Sequence, residues 1–320
     1  MEKLKRIFSP LILLLAAIIW GFAFVAQDAA DKVPAFTLGA ARSLLGAVFL
    51  FALIPVIDRL RGSERRLFSR HGVGINKIEL ASGAVLGVVL AVASVFQQLG
   101  ISSGTDGGKA AFITALYIVF VPIYALALKR RASLNAWVSV GIAAVGFYLL
   151  CIRGDFSIAP SDLLVSLCAL IFPIHILIID RYSPLCDGVR MSAVQFLSAT
   201  VVNTVFALIF EGVDSFSTIG DNLIPILYLG IGSSGIAYTL QIIGQRGSDP
   251  TSSAIILSLE SVFGVIGTAV ILYQTLTPRE YIGCAVLLVA VLLSQINPLE
   301  LIKEKRRKTD KGSDESGAEE

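Results

Sequence analysis

Ten runs of about 20 predominantly apolar residues divide the chain, and they leave it few ways to fold. They lie at residues 8–27, 36–57, 78–101, 109–128, 134–152, 160–179, 189–210, 222–243, 250–273 and 279–297. A backbone crossing hydrocarbon must pair every N–H and C=O within itself, so such runs are helices and not an open sheet. The rest of the chain agrees: 55% of its 320 residues are hydrophobic and 16% charged, against about 45–50% and about 25% in soluble domains. The first run follows Lys3, Lys5 and Arg6 like the core of a signal peptide, but it is too long for one and reads as a first span. The expected fold class is an all-α polytopic membrane protein with ten transmembrane helices.

Lys and Arg set the expected orientation. With the N-terminus inside, 21 of the 26 basic residues fall in cytoplasmic segments, four in outer loops (Lys32, Lys109, Arg153, Arg279), and Arg42 lies within a span. Both termini are therefore expected in the cytoplasm. Residues 301–320, polar and mixed in charge, read as a disordered tail. Four cysteines (151, 168, 186, 284) show neither metal-ligand spacing nor a disulfide framework.

One stretch occurs twice. Residues 98–120 and 241–263 align without a gap at a shift of 143, with eight identities in 23 positions. Matches among apolar residues weigh little, but Gln98/Gln241, Gly104/Gly247 and Asp106/Asp249 weigh more. The chain then divides into residues 1–152 and 153–300, two units of five spans each. Five is odd, so the second unit would enter the membrane upside down. An inverted pair encloses a midplane cavity that can open to either side by equivalent motions, which is the physical argument for transport.

Within the spans, Glu260 carries the sharpest signal. It lies about ten residues into the ninth run, roughly 15 Å deep, where a carboxylate is costly and functional by default. Arg42 sits about six residues into the second run, placed either to snorkel to headgroups or to attract a substrate. His175 follows the helix-kinking Pro173 in the sixth run, and is either a packed core ring or a proton-exchanging group. Gln97, Gln98, Gln195, Asn203, Gln241 and Gln274 are by default interhelical glue. Trp20, Tyr117, Tyr228 and Tyr238 suit a cavity wall or a packed core. Gly230-Ile231-Gly232-Ser233-Ser234-Gly235 spells G-x-G-x-x-G, but the dinucleotide motif needs a preceding strand, and this run lies inside a span. Its small residues suit close helix packing or a local break, and Gly83-x3-Gly87 and Gly100-x3-Gly104 suit close packing around the third span. No triad, metal cluster or P-loop occurs, so no cofactor is expected.

Taken in order, these residues resemble the EamA-like branch of the drug/metabolite transporter superfamily over about residues 10–297. The resemblance runs through Trp20-Gly21-Phe22-Ala23-Phe24-Val25, Arg42, Gln97-Gln98, Ala111-Phe112-Ile113-Thr114-Ala115-Leu116-Tyr117 and Val121-Pro122. It continues through His175, Gln195-Phe196, Ala237-Tyr238-Thr239-Leu240-Gln241 and Leu257-Ser258-Leu259-Glu260-Ser261-Val262-Phe263. It implies two inverted five-helix repeats, alternating access, and a central cavity lined by helices 1, 3, 4, 6, 8 and 9. That places Trp20, Gln98, Tyr117, His175, Tyr238, Gln241 and Glu260 on lining helices. One departure is Tyr273-Gln274, where many members carry Gly-Glu. The expected function is secondary transport of a small metabolite, such as an amino acid, across a bacterial inner membrane. Export is the expected direction, with protons as the candidate coupling ion. An importer or antiporter of the same fold, and a polytopic membrane enzyme or scaffold, stand as the alternatives. Expected partners are a small-molecule substrate and the lipid bilayer, with no nucleic acid; a monomer and a homodimer both fit.

Overall fold

The computed structural model describes residues 2–30, 32–62, 68–69, 72–105, 107–129, 132–151, 159–246, 248–271 and 277–295. Helices account for nearly all of these residues. In chain order they are α1 (Glu2–Ala29), α2 (Ala35–Leu60), α3 (Lys77–Ser102), α4 (Gly107–Ala115), α5 (Tyr117–Ala127), α6 (Leu134–Cys151) and α7 (Pro160–Tyr182). They continue as α8 (Gly188–Phe210), α9 (Leu223–Leu227), α10 (Tyr238–Gln245), α11 (Pro250–Leu257), α12 (Glu260–Ile271) and α13 (Pro278–Gln295). A 3₁₀ stretch (Val213–Asn222) precedes α9, and a π-helical stretch (Tyr228–Ala237) joins α9 to α10. The basic loop after α2 holds a two-residue antiparallel pair, Phe68–Ser69 with Gly72–Val73.

Eight stretches among the described residues are long and apolar enough to cross a membrane, and they match the first four expected runs and the sixth to ninth. The fifth and tenth runs are helical but shorter: Leu134–Leu149 is the apolar part of α6, and α13 has 18 residues with Arg279 and Glu280 in its first turn. These two helices pack against each other, so close that a Cβ on Gly146 would meet Leu287 at 2.8 Å.

Local sequence sets the helix ends. Asn76 and Glu79 form a reciprocal capping box that opens α3, which satisfies two of the N–H groups a helix start leaves open. Asp187 caps α8. Asp249 caps α11 through the N–H groups of Thr251 and Ser252, with Pro250 in the first helical position. Its repeat counterpart Asp106, directly before α4, lies outside the described residues, as do Gly247, Tyr273-Gln274 and the tail. Glu211, at the end of α8, accepts hydrogen bonds from the backbone N–H groups of Phe36 and Thr37 at 2.8 and 2.7 Å. It thereby supplies the anion that the N-terminus of α2 favours.

Four apolar clusters fill the interior among the described residues, two of them large. One gathers Phe112, Tyr117, Phe147, Ile176 and Leu259, the other Trp20, Leu50, Leu90, Phe196 and Tyr238, and Phe172 packs against both. Many large apolar side chains point outward instead, Val48, Leu208, Ile209 and Leu292 among them, as a surface in contact with lipid tails requires. Small residues fix the closest helix approaches. A Cβ on Gly83 or Gly87 would strike α8, at Val194 and at the Gln195 carbonyl, and one on Gly100 would strike Val165 of α7. Gly104 does not share this role: its φ of +106° closes the turn after α3, and nothing lies within 4 Å of its Cβ position.

Candidate functional site

The fourth and ninth runs, expected as single helices, are each interrupted in mid-course. The fourth turns at Leu116 between α4 and α5, and the ninth at Ser258–Leu259 between α11 and α12. At both places the backbone tightens to bonds spanning three residues: Leu116 N–H to Ile113 O, and Leu259 N–H to Ile256 O. Leu116 and Leu259 are one of the identities 143 positions apart, so the two interruptions fall in the same register of the repeat. The residues that follow, Tyr117 and Glu260, also correspond at that shift. Tyr117 opens α5 and Glu260 opens α12, and their side chains hydrogen-bond each other.

The π-helical stretch supplies the opposite wall. Gly230 and Gly235 let it approach α2 so closely that a Cβ on either would meet Leu45 or Phe49 at 2.5 and 2.7 Å. The G-x-G-x-x-G run thus serves packing, inside a helix and without a preceding strand. That approach brings Arg42 of α2 onto two hydroxyls. Its Nη2 donates to Ser233 Oγ at 2.9 Å and its Nε to Ser234 Oγ at 3.3 Å. Arg42 therefore does not snorkel outward; it is held across the helix interface.

Between these walls lies a cavity of about 520 Å3, open space at its mouth included. Trp20, Arg42, Tyr117, Tyr238, Gln241 and Glu260 all border it. Trp20 and Tyr238 stand with ring centroids 4.6 Å apart, and the Trp20 indole donates to the Ser233 carbonyl at 3.4 Å. The Oε1 of Gln241 is buried with no partner among the described residues. Arg42 and Glu260 face one space, yet neither joins a salt bridge among the described residues.

Two expected residues stand behind the wall. Gln98 accepts from Gln27 Nε2 at 3.4 Å and donates to Ser102 at 3.4 Å. His175 is fully buried, its Nε2 lies 3.2 Å from Gln195 Oε1, and its ring meets Tyr238 edge-on at 5.8 Å. Other residues complete the wall. Gln27 donates to Gln97 at 3.3 Å and Gln97 to Thr114 at 3.0 Å, while Ser94, Phe172 and Ser233 line the remaining sides. Gln27 had a signal in the sequence: it follows Trp20 by seven residues, two turns along one helix face. The described residues include no group of His, Cys, Asp and Glu able to hold a metal ion.

At the far end of the bundle, α2 and α8 are pinned by an ion pair. Arg190 meets Asp58 at 2.6 Å, both nearly inaccessible, with Asp187 at 3.8 Å from the same guanidinium. Asp187 also takes Arg61 at 3.1 Å.

Comparison with known proteins sets this geometry in a family. The model of the EamA-like transporter family matches residues 7–152 and 159–295. An uncharacterized transporter of Archaeoglobus fulgidus is 27% identical over 294 residues, which span 91% of this chain and 87% of the relative. The uncharacterized transporter YoaV of Bacillus subtilis is 23% identical over 233 residues, 70% of this chain and 74% of that protein. A solved crystal structure superposes with a TM-score of 0.72 at 18% identity, covering 89% of this chain and 96% of that one. At that identity the likeness concerns the fold.

Proposed function

The chain belongs to the EamA-like transporter family, and from that premise we propose that it is a secondary transporter of a small metabolite working by alternating access. Our reading places it in a bacterial inner membrane, with ten spans in two inverted units and both termini cytoplasmic. The observation that carries the proposal is the cavity bounded by two helices interrupted in the same repeat register, with Tyr117 bonded to Glu260. Interrupted helices at corresponding positions of two repeats are where such transporters bind their cargo.

The packing supports the inverted arrangement. Exchanging the two halves pairs the second span with the seventh and the fifth with the tenth. The corresponding helices, α2 with α8 and α6 with α13, pack on each other. The same exchange turns the contact of α3 with α8 into that of α2 with the π-helical stretch, which is also present.

With the termini inside, the cavity-lining residues of α1, α2 and α3 lie toward the outer face, and the Asp58–Arg190 pair lies at the inner face. Ile176, Tyr238 and Gln241, from the second half, lie toward the inner face, so the cavity sits near the midplane, and we take the Asp58–Arg190 pair as its closure on the cytoplasmic side. Glu260 exchanges a proton during the cycle, and Tyr117 holds its carboxylate between exchanges. His175 is assigned a positioning task, keeping Tyr238 upright, because its ring lies behind the cavity wall. The cargo is a small polar molecule: Arg42 and Glu260 offer one charge of each sign, Gln241 an open acceptor, and Trp20 with Tyr238 an aromatic face. Amino acids have this chemistry, and export is the proposed direction.

Binding to the native state raises thermal stability by about 2.7 kcal/mol at a hundredfold excess over the dissociation constant. A thermal-shift screen of amino acids, nucleobases, sugar phosphates and cationic drugs, at mildly acidic and mildly alkaline pH, identifies the cargo. Flux of that cargo in proteoliposomes then tests the site. Glu260→Gln is expected to cut the flux and flatten its pH dependence. Unchanged flux and pH profile would remove Glu260 from the mechanism.

A further inference from the structure

A layer of amides closes the end of the central cavity that lies away from the Asp58–Arg190 pair. Gln27 stands two residues before the end of α1 and Gln98 four before the end of α3, at the end of the bundle where α4 begins. The Nε2 of Gln27 is shared between Gln97 Oε1 at 3.3 Å and Gln98 Oε1 at 3.4 Å. Gln97 Nε2 donates onward to Thr114 Oγ1 at 3.0 Å, and Gln98 Nε2 to Ser102 Oγ at 3.4 Å. One chain of hydrogen bonds therefore crosses α1, α3 and α4, from the exposed Ser102 to Thr114 at the cavity wall. Gln27, Gln97 and Thr114 all border the cavity. Gln27, Gln97 and Gln98 are at most 8% exposed, so in this conformation the layer is shut.

The repeat supplies a comparison at the other end. At the shift of 143, Gln97, Gln98 and Thr114 correspond to Leu240, Gln241 and Leu257. The first span aligns with the sixth at a shift of 152, where Asp28 meets Asp180, and Gln27 then corresponds to Ile179. Three of the four positions are thus aliphatic there. Ile179 and Leu257 are both buried, and Ile179 packs with Leu86, Met191 and Ile242. Of the amides on that side, Gln245 donates to the Ile176 carbonyl at 3.4 Å, and Gln241 Oε1 has no partner among the described residues. The two seals differ in what it takes to wet them. Long bonds between neutral amides exchange for bonds to water at small net cost, whereas parting aliphatic side chains exposes apolar surface.

We infer that Gln27, Gln97, Gln98 and Thr114 form a hydratable outer gate, which admits water and small polar solutes to the cavity while the aliphatic seal at the opposite end stays dry. The inference rests on the reading of the cavity as the cargo site with both termini inside, and adds which residues gate it. Amides that served only to join helices could stand anywhere along α1 and α3. These stand between the cavity and the end of the bundle, and at the other end the corresponding helices pack with aliphatic residues in their place.

Ser233 borders the cavity and serves as the reporter. With the native cysteines replaced, Ser233→Cys is modified by a membrane-impermeant methanethiosulfonate in right-side-out and in inverted vesicles, and the two rates are compared. Gln27→Leu removes the shared donor and dries the layer, so it should slow labelling from the outer face by about tenfold and leave the inner-face rate unchanged. Gln27→Asn also breaks the bonds but stays polar, and should leave outer-face labelling as fast or faster. Leu257→Thr gives the opposite seal the residue of its counterpart, and should speed labelling from the inner face. If Gln27→Leu and Gln27→Asn act alike, or if Gln27→Leu slows both faces equally, the amides only join helices and the inference is overturned. Gln97→Leu carries the same expectation where Gln27→Leu does not fold. Loss of the parent reading registers elsewhere, as solute flux unaffected by Glu260→Gln.

Discussion

Tyr117 and Glu260 occupy one register of the repeat, and their side chains meet across the cavity. A hydrogen bond to a charged group contributes about 1.5–3 kcal/mol, so Tyr117→Phe is expected to slow transport about tenfold. Combined with Glu260→Gln it should add little, because the two residues act as one unit; a double-mutant cycle in flux measurements checks this. His175→Ala acts otherwise. It empties a fully buried position between Phe172 and Tyr238, with an expected loss of about 2 kcal/mol or more of stability. The pH profile of transport should hold its shape. Glu260 was legible in the sequence because a carboxylate deep in an apolar run has few structural excuses. Arg42 was legible as a residue but not in its role, since its partners are the hydroxyls of Ser233 and Ser234, almost 200 positions away. Gln27 was marked only by its spacing from Trp20, Ser94 and Thr114 carried no charge to mark them, and neutral polar residues in spans are usually glue.

The helices were readable from apolar runs and caps, but their interruptions were not. Leu116 and Leu259 have no proline or glycine beside them to announce a turn, and the shared register shows only once both turns are seen. The π-helical stretch was announced as a run of small residues without its extra width. Glycine positions give opposed predictions on neighbouring elements. Gly87→Ala on α3 would place a Cβ 2.2 Å from the Gln195 carbonyl, so thermal stability should fall by about 1–3 kcal/mol. Gly141→Ala on α6 meets nothing within 4 Å, and its gain in helix propensity should raise stability by about 0.5–1 kcal/mol. Thermal unfolding of the two purified variants measures both signs at once.

For the whole molecule, the proposed cycle needs two faces that open in alternation, and the Asp58–Arg190 pair is the latch on one of them. Asp58→Asn removes the charge that meets the buried guanidinium at 2.6 Å, with Asp187 standing farther off at 3.8 Å. Breaking such a pair typically costs about 3–5 kcal/mol, enough to shift the population toward the inward-facing state. The most direct test of alternating access is two-sided labelling. Ser233→Cys, in a background with the native cysteines replaced, is exposed to a membrane-impermeant thiol reagent in right-side-out and in inverted vesicles. The account predicts rapid labelling from the outer face, slow labelling from the inner face, and a reversal of the two rates when Asp58→Asn is added. Labelling from one face alone, unmoved by Asp58→Asn, would contradict it.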